Sequence, residues 1–217
     1  MGANFSLMNY KVVVGEIGMV GAVGDAVTKG LEWTYPVSRG DSGSATFTVN
    51  ADIKNFKNIS AQGLVMSDYE AKVLSMQMAG YYRNLDTMGG SGSYLAQISH
   101  GNINLDGSLS QLSDLAKTEG DFNKLKAALS WQQPLTSQMS TFASYSFQLA
   151  DKNLDSSEKM QLGGMNGVRA YPTGEGSGSD AELLQLELRY DLGGGYTLAG
   201  LYDWGRAWQM HNADFPG

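Results

Sequence analysis

Few side chains in this sequence could do chemistry, and spacing removes most of them. There is no cysteine, which excludes thiol nucleophiles, cysteine-ligated zinc and disulfides together. His100 and His211 lie far apart and have no acidic partners at ligand-like spacing, so no metal site is expected. Gly15, Gly18, Gly21 and Gly24 recur like a nucleotide loop, but no Walker lysine or strand-loop-helix context accompanies them. A strand end or barrel loop is the better reading there. Serine and aspartate are abundant without forming a nucleophile elbow. Arg39-Gly40-Asp41 matches an adhesion tripeptide and reads as a polar turn. What remains is Gln161 to Asp180, glycine-rich, with Val168, Arg169, Ala170 and Tyr171 near its centre. An arginine in such a loop is ordinarily solvated. This one, however, is long for a hairpin and carries apolar and aromatic residues, and loops of that kind are more often functional than idle.

The elements that must position the loop are strands. In Ser44 to Lys54 the odd positions are Ala45, Phe47, Val49, Ala51 and Ile53, and the even positions are polar. That period of two marks a two-faced strand. It recurs in Phe122 to Gln133, Gln138 to Leu149 and Glu182 to Leu192. Weaker strands are predicted at Asn4 to Val14, Val27 to Pro36, Ala71 to Tyr82, Tyr94 to Leu105 and Tyr196 to Arg206. The total is about nine, mostly 10 residues or longer, against a usual soluble mode of about 5–6. Glu32, Asp52, Lys54, Lys124, Lys126, Glu187 and Arg189 fall on the polar faces with mixed sign. Glycine-rich turns such as Met88 to Gly92 and Gly193 to Gly195 alternate with long connections such as Asp106 to Gly120. A soluble β-sandwich and a transmembrane barrel both fit this alternation. Strand length, and aromatics near strand ends such as Trp33, Tyr82, Trp131, Tyr190 and Tyr196, point toward the barrel.

Composition narrows the classes further. Charged residues make up only 17% and apolar residues 42%, which argues against disorder. A net charge of −7 argues against a general nucleic-acid binder. No stretch of about 18 apolar residues exists to form a transmembrane helix. Val12 to Val27 is interrupted by Glu16 and Asp25 and lacks the pattern of a signal peptide. An exported protein needs such a signal, so the chain is expected to be a piece whose N-terminus lies upstream.

The run Lys152-Asn153-Leu154-Asp155-Ser156-Ser157-Glu158-Lys159, then Leu162-Gly163-Gly164, Val168-Arg169-Ala170-Tyr171-Pro172 and Gly174-Glu175, resembles the two-partner secretion transporters. These are the haemolysin secretion/activation proteins of the ShlB/FhaC/HecB type, a branch of the outer-membrane assembly insertase superfamily. Ala170 stands where the family more commonly has glycine. Gly200-Leu201-Tyr202-Asp203-Trp204-Gly205 is similar to the family's aromatic-x-Asp-x-Gly strand motif, with Leu201 in the aromatic position. The match covers Asp151 to Arg206; upstream only the strand rhythm and Tyr35-Pro36 agree.

The resemblance implies an all-β fold: about nine of the sixteen antiparallel strands of a transmembrane barrel, seen as a curved open sheet. A plug loop at 163–180 would fold onto the lumen side, where Arg169 reaches Asp203 and pins it. Two periplasmic POTRA domains and a signal peptide would lie outside this chain. The implied activity is export of an unfolded β-helical exoprotein of haemolysin or adhesin type across the bacterial outer membrane. Outer-membrane lipid would be the other partner, with no nucleotide, nucleic acid or cofactor and no catalysed reaction. An insertase of the same superfamily would share the loop, though Asp155 to Lys159 and Tyr171-Pro172-x-Gly174-Glu175 favour secretion. A soluble β-rich binding or hydrolytic domain is the rival from another class.

Overall fold

The computed structural model describes residues 2–11, 23–60, 65–84, 89–105, 114 and 116–208. Gly15, Gly18, Gly21, Met88, His211, positions 12–14 of the first predicted strand, 106–113 of the long connection and the terminal 209–217 lie outside them. Among the described residues the chain forms β1 (Gly2–Lys11), β2 (Val23–Gly40), β3 (Gly43–Ile59), β4 (Val65–Arg83), β5 (Ser91–Asn104), β6 (Gly120–Pro134) and β7 (Met139–Ala150). Two short strands follow, β8 (Met160–Gln161) and β9 (Ser177–Gly178), and then β10 (Asp180–Gly193) and β11 (Tyr196–Trp208). Nine strands make one antiparallel open sheet in the order β1-β2-β3-β4-β5-β6-β7-β10-β11. β8 and β9 pair separately.

All nine predicted strands are present. Several are longer than the alternation alone suggests: β2, β3 and β4 have 18, 17 and 19 residues, where 9–11 would cross a bilayer. The outward faces explain the excess. One face of the sheet carries Leu31 and Trp33 on β2, Ile53 on β3, Leu74 and Met76 on β4, Ile98 on β5, Leu125, Leu129 and Trp131 on β6 and Leu186 and Leu188 on β10, all exposed. Toward the end where β3 meets β4 that face turns polar. Lys57 pairs with Asp68 at 3.4 Å and Lys72 with Glu70 at 2.7 Å. Asn102 donates to Asp121 at 2.7 Å and Asn123 to Asp151 at 2.7 Å. An apolar band bounded by charge is the pattern of strands that cross lipid and continue past it.

The opposite end has the tight turns. Asp41 and Ser42 close the β2–β3 hairpin; of Arg39-Gly40-Asp41, expected as a polar turn, only Asp41 lies in it, and Arg39 and Gly40 end β2 paired with Ser44 and Gly43. Aromatic side chains gather there: Trp33 stacks on Tyr35 at 6.0 Å and Tyr82 on Trp131 at 6.0 Å. Pro36 sits at a register shift of β2 against β3, as its missing N–H requires.

The inner face, by contrast, is covered by the connection between β7 and β10. It starts at Asp151, earlier than the 163–180 loop expected from sequence, and includes the β8–β9 pair that alternation did not reveal. Buried Leu154 packs with Ala71, Val73, Ile103, Leu105 and Phe122, all on the inner surface of β4 to β6 or just beyond. A second apolar cluster joins Leu162 to Ala181 and Leu183, with Val168 and Ala207 against it.

Candidate functional site

The site is built where the loop meets β10 and β11. The antiparallel register sets Gln185 opposite Asp203, Leu183 opposite Gly205 and Glu187 opposite Leu201. All six face inward, so the two carboxylates of Glu187 and Asp203 lie on neighbouring strands under the loop. Gly205 lets the loop approach. A Cβ there would stand 2.9 Å from Val168 Cγ2 and 3.4 Å from Leu162 Cδ1, so a methyl group would already press on the Val168 side chain. Within the loop, Cβ atoms at Gly163 and Gly167 would meet the carbonyl oxygens of Pro172 and Leu162 at 2.2 and 1.9 Å. The glycine-rich spacing is therefore what allows the tight fold around Val168.

That fold aims Arg169 at the strands. Its Nε donates to Asp203 Oδ2 at 2.8 Å and its Nη2 to Oδ1 at 2.5 Å. Its backbone N–H donates to Oδ2 at 3.0 Å, so one carboxylate receives both side chain and main chain. The remaining Nη1 donates to Glu187 Oε1, and Glu187 Oε2 accepts from Arg189 Nε at 2.8 Å. Gln185 Nε2 donates to the Gly167 carbonyl at 2.8 Å and holds the turn before Arg169. Two cations and two anions balance. A planar fork on a carboxylate is directional, and at 9% exposure Asp203 and Glu187 have lost most of their water. The carboxylates of Asp203 and Glu187 hold the Arg169 guanidinium protonated far above its ordinary range.

Of the residues singled out by sequence, Val168, Arg169, Gly163, Gly164, Asp203 and Gly205 come together here. Gly164 adopts φ +96° and its N–H donates to the Tyr171 carbonyl at 2.9 Å. Tyr171 is 53% exposed, and Ala170, Gly174 and Glu175 are exposed as well. Glu187, Gln185 and Arg189 were legible only as inward charges and a polar neighbour, not as partners of Arg169.

A second anchor was also missed. Glu158, 4% exposed, accepts from Lys54 Nζ on β3 at 2.6 Å and from Lys124 Nζ on β6 at 2.7 Å. Gln148 Nε2 donates to the carbonyls of both Glu158 and Ser179, at 3.1 and 3.0 Å. Tyr69 on β4 donates to Asp155 at 3.0 Å. Burial pushes the Glu158 carboxyl up, but the charges of Lys124 and Lys54 outweigh it and hold the group below its ordinary value. The available signal was two inward lysines on the strands, Lys54 and Lys124, and the acidic run Asp155-Ser156-Ser157-Glu158 that follows β7. Among the described residues no cluster of side chains could hold a metal.

Known proteins share this architecture. The model of the haemolysin secretion/activation protein ShlB/FhaC/HecB family matches residues 3–216. The heme/hemopexin transporter protein HuxB of Haemophilus influenzae strain Rd is 35% identical over 74 residues, which is 34% of this chain and 13% of HuxB. A second Haemophilus influenzae HuxB sequence is 47% identical over 45 residues, 21% of this chain and 8% of that protein. In structure, CdiB from Escherichia coli superposes with a TM-score of 0.77 at 20% identity, over 99% of this chain and 40% of CdiB. CdiB from Acinetobacter baumannii gives 0.69 at 16% identity, over 99% of this chain and 38% of its own. The chain thus spans less than half the length of these relatives and corresponds to part of a barrel. With the family pattern extending over almost every residue, the chain belongs to the ShlB/FhaC/HecB haemolysin secretion/activation family of two-partner secretion transporters.

Proposed function

We propose that this chain is part of the barrel wall and the plug of an outer-membrane translocator that exports a large β-helical exoprotein of haemolysin or adhesin type. The observation that carries this reading is the Arg169 fork on Asp203 and Glu187, inside a sheet whose outward face is an apolar band of membrane-crossing length. A loop held by a neutral ion cluster can rest in the lumen and leave it again, because the cluster breaks into groups that water can solvate. Family membership supports a secretion role over a soluble binding domain or an insertase. The expected partners are the unfolded exoprotein and outer-membrane lipid, with POTRA domains elsewhere in the full protein to recognise the substrate. No nucleotide, cofactor or covalent step enters; Arg169 and Asp203 act as a conformational lock, with Val168, Gly205 and the loop glycines shaping its seat.

The test is secretion of the partner exoprotein by the full-length protein carrying Arg169→Ala. Export should fall severalfold while the barrel still reaches the membrane and shows heat-modifiable gel mobility. Undiminished export by an assembled Arg169→Ala barrel would sink the lock.

A further inference from the structure

The inner wall is mostly uncharged where the loop crosses it: Ser75 on β4, Gln97 and Ser99 on β5, Ser146 and Gln148 on β7. Lys54, Lys124 and Lys126 are the cations set into it, with Asp52 on β3 the acid of the wall beside Lys54. Lys124 lies opposite Ser99 and Lys126 opposite Gln97. Lys126 is exposed and has no ionic partner among the described residues. Lys54 and Lys124 come from strands separated by β4 and β5, yet both ammonium groups converge on the one carboxylate of Glu158. Lys124 also donates to the Glu158 carbonyl at 3.1 Å.

From this convergence we infer that Lys54 and Lys124 form a carboxylate-binding site for the passing polypeptide, and that Glu158 occupies it as an internal stand-in while the loop is seated. The inference rests on the translocator reading above. A pair needed only for stability would be served as well by apolar contact, as Leu154 is a few residues away, because desolvating ions offsets most of their attraction. A charged pocket differs in being exchangeable. When the loop leaves, both lysines stay on the wall, since they belong to β3 and β6 and not to the loop. They then face the lumen with Lys126 as a short basic track. Acidic side chains of an extended chain would bind there one after another, compete with Glu158 for the same two donors, and so keep the loop displaced while substrate remains. Lysine suits this use better than arginine, being a flexible point charge with no fixed fork to satisfy.

The experiment uses the full-length protein in planar bilayers, with pentaglutamate as the probe and pentalysine as the control. Glu158→Gln frees the lysines without changing side-chain size. It should shift the reversal potential in a salt gradient toward anions and strengthen pentaglutamate block about fivefold to tenfold, the range for two partly exposed ion pairs. Pentalysine block should not strengthen. Adding Lys54→Gln and Lys124→Gln should abolish both changes. A folded Glu158→Gln channel with wild-type selectivity and wild-type pentaglutamate block overturns the inference and leaves the translocator reading standing. A full-length protein that forms no channel and exports nothing removes both. If Glu158→Gln does not assemble, release of the loop is read instead: pentaglutamate that speeds protease cleavage at 151–158 in wild type but not in the neutral triple variant supports the site, and an equal effect on both, or none on wild type, overturns it.

Discussion

The loop is held at two places, and the two holds are made differently. At Arg169 the partners are on adjacent strands, the backbone amide joins the side chain on Asp203, and Gly205 provides a seat into which Val168 fits. At Glu158 the partners stand three strands apart and the contact is two ammonium groups on one carboxylate, next to an apolar plug at Leu154. The first is specified by shape: donor directions, a glycine floor and a register. The second is specified by charge and burial. Shape-specified contacts fail when an atom is added or a fork is lost, whereas charge-specified ones tolerate repositioning and respond to competing ions and protons.

The largest effect should come from Arg169→Ala, which leaves Asp203 and Glu187 facing each other without their shared cation. A cost of about 3 kcal/mol is expected, the low end for breaking a buried pair because Arg169 remains a quarter exposed. The readout is protease cleavage in 162–176, which should accelerate, while Arg169→Lys recovers only part of the protection because an ammonium cannot span both carboxylates. Next, Leu154→Ala should destabilise the other hold by about 2 kcal/mol through the cavity it leaves, seen as faster hydrogen exchange at 151–158 with little change at Arg169. Equal acceleration at both holds would show that they are one unit and erase the distinction. Gly205→Ala follows at about 1 kcal/mol. Its methyl group presses on Val168 and should raise exchange around Arg169 alone.

The smallest effect is titration. Glu158 has a folded value below the ordinary 4.5, so its contribution is complete above that pH and is lost as pH falls through the folded value. Acidification below 4.5 should therefore loosen 151–158, and Glu158→Gln should lose this dependence. Loosening that begins near neutral pH would contradict the pairing with Lys54 and Lys124.

Much of this was legible in the sequence because period-two alternation is local. Ala45 to Ile53 and Leu184 to Leu192 declare their outward face without any knowledge of neighbours, and all nine strands follow. Inward parity likewise put Asp203, Glu187, Lys54 and Lys124 on one surface. Partnership was not legible in that pattern, because it depends on register and on where an irregular segment comes to rest. Arg169 was tied to Asp203 only through family resemblance, and Glu187 as the third member depends on its inward position on β10, beside the strand that carries Asp203. Glu158 finds Lys54 across 104 residues of chain, a distance no local rule covers. The extra length of β3 and β4 was hidden for a related reason: beyond the apolar band they carry Lys57, Asp68, Glu70 and Lys72 outward, while Phe56 and Tyr69 pack inside against the Leu154 cluster.

Leu154 has a consequence for the permeability barrier. With its side chain in place, the surface made by Ile103, Leu105 and Phe122 is dry, although it faces what would be a water-filled lumen. Withdrawing the loop wets that surface, so an empty, open passage is the state of higher free energy and a substrate-filled one need not be. On the translocator reading proposed above, that wetting would drive the loop back into place once the passage is empty. A Leu154→Ala variant of the full-length protein is then expected to leak ions more than wild type in planar bilayers.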